Sequence, residues 1–131
     1  MREVAKLIVF DGTQLLLLKK KTNKLRFSLL GGGVKKKETP EEAVLREAKE
    51  EGNIEIGSQE LTKVKSIVNT NSIEGTTVYH YYLINRVESF ELLEVHKFDA
   101  LEWVEYNYGL AKLKPRDRKV IEKFIIKTIK K

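Results

Sequence analysis

The sequence predicts one domain of mixed α/β class. Three observations carry that prediction: β-rich runs recur along the chain, two segments carry helical signals, and 131 residues with 41% hydrophobic composition hold one core of ordinary size but not two. A single domain spanning residues 1–131 is therefore expected, with no repeats, linkers or low-complexity segments.

The stretch "EVAKLIVFDGTQLLLLKKK" reads as two strands joined at Asp11-Gly12-Thr13, because Asp-Gly accepts the positive φ that a tight hairpin turn demands. "RFSLLGGGV" is a third short strand running into a glycine-rich loop. A helix follows from about Pro40 to Glu51: Thr39 is placed as N-cap, Pro40 takes the first helical position, and Glu42 completes a capping box. Gly52-Asn53 ends it, since both residues accept the left-handed conformation.

"NIEIGSQELTKVKSIVNT" and "TTVYHYYLINRV" are β-rich runs separated by the turn-like "NSIEG". Alternation in the second sends Tyr79, Tyr81 and Leu83 to one face and His80, Tyr82 and Ile84 to the other. "FDALEWVEY" reads as one more strand, with Trp103 in the core. From Pro115 onward, Val120, Ile121, Phe124, Ile125, Thr128 and Ile129 recur at helical spacing opposite Lys and Arg, which predicts an amphipathic helix docked on the domain.

Cysteine is absent, which removes disulfides, thiolate metal sites and thiol nucleophiles and fits a reducing compartment. The apolar run Leu7 to Phe10 is stopped by Asp11-Gly12 and cannot serve as a signal-peptide core, and no stretch approaches the roughly 20 apolar residues of a membrane span. A cytoplasmic protein without a membrane partner is expected. The formal net charge of +6, concentrated in residues 19–24 and 112–131, favours polyanionic partners, although scattered solvated lysines also give such a balance.

Against this basic background the helix gathers acids. At about 100° per residue, Glu47, Glu50 and Glu51 share one stripe, because positions i, i+3 and i+4 are neighbours. Crowded carboxylates repel, so the arrangement makes sense around a divalent cation; oxygen-only donors suit Mg²⁺ or Mn²⁺ better than Zn²⁺. Val44, Leu45 and Ala48 flank the stripe and give the helix a side to bury, with small Ala43 leaving room on the acidic side. Gly31, Gly32 and Gly33 let the main chain come close to a ligand, offering carbonyls to a metal or N–H groups to phosphate. Loop and helix together suggest a magnesium-phosphate site. The plainer reading of the acids is a solvated helix face.

Gly32, Glu38, Arg46, Glu47, Glu50 and Glu51, at the spacing Gly-x5-Glu-x7-Arg-Glu-x2-Glu-Glu and followed by Ile54, resemble the Nudix box of the Nudix hydrolases, the MutT-like enzymes among them. The box covers residues 32–54. Leu30 stands where the family usually has proline, Lys37 where a glycine is common, and Asn53 where the late glycine falls.

The resemblance implies an α/β/α sandwich around a mixed sheet and a reaction in which water attacks a phosphorus of a nucleoside diphosphate linked to another group. It implies Glu50 and Glu51 as metal ligands, the Gly31 carbonyl as a further one, and Glu47 as ligand or base. Arg46 would pair with a box glutamate, and Glu38 would reach in from the loop as an outer carboxylate. A further acid from the loop before the last strand would assist, with Glu94 ranked ahead of Glu91 and Asp99. Glu41 and Glu42 are assigned to the helix start alone.

For the substrate, Gly31, Gly32 and Gly33 are candidate contacts. Phe27 is a candidate to stack on a base, though an aromatic in a strand more often belongs to the core. His80 could touch base or phosphate or be an ordinary half-buried strand residue, and His96 reads as an exposed loop residue. A nucleoside triphosphate pyrophosphohydrolase is the first expectation, because the chain is little more than the minimal domain. Dinucleoside polyphosphates and nucleotide sugars are the other substrates weighed. A non-catalytic module binding nucleotide or RNA through the basic C-terminal helix is the alternative from another class, and monomer and homodimer both stay open.

Overall fold

The computed structural model describes residues 1–125, so Thr128 and Ile129 of the expected closing helix lie outside the described residues. β1 (Arg2–Val9) and β2 (Gln14–Lys20) are joined by the expected turn, in which Gly12 takes φ +109° and the Asp11 carboxylate accepts the N–H groups of Thr13 at 2.8 Å and Gln14 at 2.7 Å. The hairpin itself does not form. One bridge, Phe10 to Leu15, links the strands before they enter different sheets. The cause is visible in β2: Leu15 to Leu18 are all fully buried, Leu15 and Leu17 in one core cluster and Leu16 and Leu18 in another. A strand apolar on both faces is best covered between two layers.

The third expected strand also divides. β3 (Phe27–Ser28) pairs with β2, whereas β4 (Leu30–Gly33) pairs antiparallel with β1, placing Gly31 opposite Lys6 and Gly32 opposite Ala5. With β5 (Thr62–Asn71), β6 (Gly75–Ile84) and β7 (Phe98–Glu105), the strands form a mixed sheet in the order β4-β1-β6-β5, in which β1 and β6 run parallel, and an antiparallel sheet in the order β3-β2-β7.

α1 (Pro40–Gly52) covers one face of the mixed sheet, where Ala43, Val44 and Ala48 pack with Ala5, Leu7, Tyr82 and Ile84. The other face meets α3 (Pro115–Val120) and the π-helical turn that continues it (Ile121–Ile125), whose Val120, Ile121 and Ile125 pack with Ile8, Tyr81 and Leu83. The expected layering of helices around a mixed sheet is thus present, and β6 distributes its side chains as its alternation predicts. Ala43 departs from expectation: it is fully buried in the core and lines no cleft.

Three boundaries also differ. β5 starts only at Thr62, because residues 58–60 form a 3-10 turn. Tyr106 opens a short helix, α2 (Tyr106–Ala111), whose start is capped by Glu105 accepting the N–H groups of Asn107 and Tyr108, each at 2.9 Å. The amphipathic segment from Pro115 changes to π-helical winding at Ile121. No described helix is long and apolar enough to cross a membrane.

α1 begins and ends as its sequence dictates. Thr39 Oγ1 accepts the Glu42 N–H at 3.1 Å, Glu42 returns a carboxylate oxygen to the Thr39 N–H at 2.8 Å, and Asn53 closes the helix at φ 52°. Replacing Glu42 with Ala should cost about 1 kcal/mol in urea unfolding and leave the hydrolysis rate unchanged, since this carboxylate is occupied at the cap.

Candidate functional site

A carboxylate cluster forms where α1 crosses β4. Gly31 has φ +137°, and a Cβ there would stand 2.2 Å from the Ala5 carbonyl oxygen, so only glycine lets β4 lie this close to β1. At Gly32 a Cβ would fall 2.7 Å from the carboxyl carbon of Glu47. The missing side chain is the space that Glu47 occupies.

Arg46 organises the rest. Its Nε and Nη2 donate to the two oxygens of Glu38 at 2.8 and 2.9 Å, Nη1 donates to Glu47 at 2.8 Å and to Glu50 at 3.1 Å, and Nη2 also donates to the Gly33 carbonyl at 3.0 Å. A guanidinium carries five N–H groups, and with the second Glu50 oxygen at 3.2 Å six acceptor oxygens surround them. Glu38 is held down to about 2, chiefly by its bond from Arg46 and then by the Lys35 N–H, while the acids around Arg46 push its own value up. The expected pairing of Arg46 with a box glutamate is therefore seen with three of them. Lysine keeps the charge and loses the fork, so Arg46→Lys should lower turnover about 10–100-fold in a protein with unchanged circular dichroism.

The acids grade from core to solvent: the Glu51 residue is 5% exposed, the Glu47 side chain 17% and the Glu50 side chain 45%. Glu51 accepts the Gly31 N–H at 2.8 Å, so β4 presents a main-chain N–H to the helix acids. Burial pushes the Glu51 carboxyl up to about 8, with Glu47 and Glu94 adding to the shift and the Gly31 N–H opposing it. A folded value raised above the unfolded 4.5 means the native state holds the extra proton between these limits. This contribution to stability is fully present below pH 4.5 and is lost as pH rises to about 8. Thermal unfolding of the metal-free protein should show that fall, and Glu51→Gln should flatten it.

Glu94 comes near because its loop is tied to the end of α1: the Glu91 N–H donates to the Gly52 carbonyl at 2.8 Å and the Leu93 N–H to the Glu51 carbonyl at 3.0 Å. Lys97 Nζ stands 3.5 Å from the Glu94 carboxylate. Of the other two candidates, Glu91 is exposed and Asp99 is paired with Lys21 at 3.0 Å.

Two expected substrate contacts lie outside the glycine strand. Phe27 is 3% exposed in the core, its ring edge-on to Tyr108, so the stacking role is corrected: no face is free for a base. His80 is a half-buried strand residue whose Nε2 lies 2.9 Å from Glu3 and Nδ1 2.8 Å from Ser66. His96 is exposed, as expected, and Trp103 is half-buried against Phe90. The sequence also concealed Asp117, a 1% exposed acid that accepts the Tyr81 hydroxyl at 2.6 Å with Lys6 Nζ at 3.6 Å. Its one signal was a lone carboxylate within a basic run.

Among the described residues no three His, Cys, Asp or Glu side chains converge at metal-ligating spacing, because Glu47 and Glu50 both turn to Arg46. The chemistry of the donor set still fits a hard divalent cation. The donors are oxygen only, and a carboxyl held protonated by burial and by neighbouring acids is one that a nearby positive charge would ionise.

A family model described as the NUDIX domain matches residues 1–124. The chain belongs to the Nudix family. It is accordingly a hydrolase acting on phosphoric anhydrides.

Solved Nudix structures share the fold. A MutT NUDIX hydrolase from Burkholderia pseudomallei superposes with TM-score 0.74 at 23% identity, over 92% of this chain and 95% of that one. The dihydroneopterin triphosphate pyrophosphohydrolase of E. coli gives 0.74 at 18% identity over 95% of each chain. An Ap4A hydrolase from C. elegans gives 0.66 at 20% identity over 92% of this chain and 93% of that one. No curated protein matched the sequence.

Proposed function

We propose that this Nudix hydrolase is a Mg²⁺-dependent, MutT-like pyrophosphohydrolase of nucleoside triphosphates, with Mn²⁺ able to replace Mg²⁺ and with one domain carrying the whole site. The observation that carries the reading is Glu51: a carboxyl in the core, with Glu47 and Glu94 in electrostatic reach, is disfavoured as an anion at neutral pH, and a bound cation would favour the charged form. The names of similar proteins favour a polyphosphate, a triphosphate in one and Ap4A in another.

Glu47, Glu50 and Glu51 would hold the metal, which when bound offsets phosphate charge and lowers the pKa of a coordinated water. Glu51 fixes the end of the cluster nearest the core through the Gly31 N–H. Glu47 fits the base role by position, being the acid lodged against Gly32, where substrate backbone contact is proposed. Arg46 and Glu38 hold Glu47 and Glu50 in place, and Glu94, at the rim, is the further acid from the loop. Gly31, Gly32 and Gly33 bring the main chain to the phosphates.

The test is a product analysis. Purified protein with Mg²⁺ is offered nucleoside triphosphates, oxidised nucleotides, nucleotide sugars and dinucleoside polyphosphates. The reading expects a nucleoside monophosphate and pyrophosphate from a triphosphate as the fastest reaction; turnover confined to nucleotide sugars or dinucleotides would replace the substrate assignment while keeping the chemistry.

A further inference from the structure

On the face of the mixed sheet away from α1, a groove of about 300 Å³ runs between β5 and the C-terminal helical segment, lined by Lys65, Ile67, Arg116, Lys119, Val120, Lys123 and Phe124. We propose that this groove binds single-stranded nucleic acid, seating one base on the apolar floor of Ile67, Val120 and Phe124 and the adjoining phosphates on the four cations.

Charge is the first argument. Lys65, Arg116, Lys119 and Lys123 line one short groove with no carboxylate among them. Among the described residues none of the four has an acid within salt-bridge distance; the nearby Glu122 faces Arg118, at 3.9 Å. At physiological salt, screening acts over about 8 Å, so a polyanion entering the groove is within reach of these cations and of no opposing acid that lines it.

The floor is the second argument, because a merely solvated lysine face has no need of one. The Arg116 guanidinium lies 4.0 Å from the centroid of the Tyr79 ring, and the Lys65 and Lys123 ammonium groups each lie 5.6 Å from that of Phe124. Cations held beside aromatic and aliphatic surface are the combination that tracks a phosphate backbone while bases stack below it. The volume suits one nucleotide unit, and β5 is the edge strand of its sheet, so a chain can enter and leave. In a duplex the base faces are already stacked, so the floor selects single strands.

The groove is separate from the hydrolase site. It lies at β5 on the α3 face, whereas the carboxylates lie at β4 on the α1 face, three strand spacings or about 14 Å across the sheet. The proposal therefore stands or falls independently of the substrate assignment.

The test is fluorescence anisotropy with the full chain in EDTA, using a labelled ten-nucleotide single strand, the same sequence as a duplex, and anionic phosphatidylserine vesicles by co-sedimentation. The single strand should bind at least tenfold tighter than the duplex, with a salt slope of about −0.7 per phosphate engaged. Lys119→Glu with Lys123→Glu should weaken binding at least tenfold while nucleotide hydrolysis is unchanged, and Lys119→Gln with Lys123→Gln should weaken it less. Phe124→Leu, which keeps apolar bulk and removes the ring, should erode the preference over duplex. Absence of oligonucleotide binding, equal affinity for the duplex, binding to vesicles alone, or unchanged affinity in both lysine pairs would each overturn the proposal.

Discussion

Glu51→Gln should abolish most of the Mg²⁺-dependent hydrolysis while raising the stability of the metal-free protein. Groups that only orient metal ligands are worth about 10–100-fold in activity, so loss of a ligand itself should exceed ~100-fold in kcat/KM. The fold should survive, because a glutamine carbonyl still accepts the Gly31 N–H that Glu51 now accepts at 2.8 Å. At pH 8 and above the wild-type carboxylate bears a charge in the core beside Glu47 and Glu94, and the neutral amide relieves it. Glu50→Gln should lower activity similarly with a smaller gain in stability, its side chain being 45% exposed. Steady-state kinetics and thermal unfolding on the same samples check both halves. A variant as active as wild type would remove the glutamates from metal binding.

Gly31→Ala should be the most damaging change to the fold in this region. The new Cβ would stand 2.2 Å from the Ala5 carbonyl oxygen and 2.9 Å from the Lys6 Cα, at a φ of +137° that side chains rarely adopt. Backbone strain and overpacking each cost about 1–3 kcal/mol, and together they take much of the 5–15 kcal/mol typical of a small domain. Gly33→Ala is the control, since nothing lies within 4 Å of its Cβ position; its midpoint should move little in urea unfolding. Gly32→Ala should separate the two effects, displacing Glu47 and lowering activity more than stability, because what its Cβ meets is the end of a side chain.

How much of this was legible depended on how local each signal was. The start and end of α1 were readable because a cap needs only the few residues around it: Thr39, Pro40, Glu42 and Asn53 all take the places their chemistry prescribes. Strand pairing was not, since the Asp11-Gly12 turn fixes a reversal but leaves open whether β1 and β2 stay together; that was decided by the demand of Leu15 to Leu18 for cover on both faces.

Within the site, spacing placed Glu47, Glu50 and Glu51 on one stripe but could not say that they would range from exposed to buried. That gradient comes from the loop tied across the end of α1 by Glu91 and Leu93, tens of residues downstream. The ranking of Glu94 over Asp99 had no local basis either, and the contact of Asp99 with Lys21 joins residues far apart in the chain. Phe27 shows the converse case: stacking on a base was the less favoured reading of an aromatic that precedes the glycines, and burial with its ring edge-on to Tyr108 bears out the favoured one, the core.

The central claim is that the acids of α1 serve a divalent cation. Titration of the metal-free protein with Mn²⁺, followed by electron paramagnetic resonance at pH 8 with and without a non-hydrolysable nucleoside triphosphate, tests it most directly. The account predicts saturable uptake that Mg²⁺ displaces, strengthened by the nucleotide and weakened at least tenfold by Glu51→Gln. Free Mn²⁺ throughout the titration, with nucleotide and without it, would contradict it.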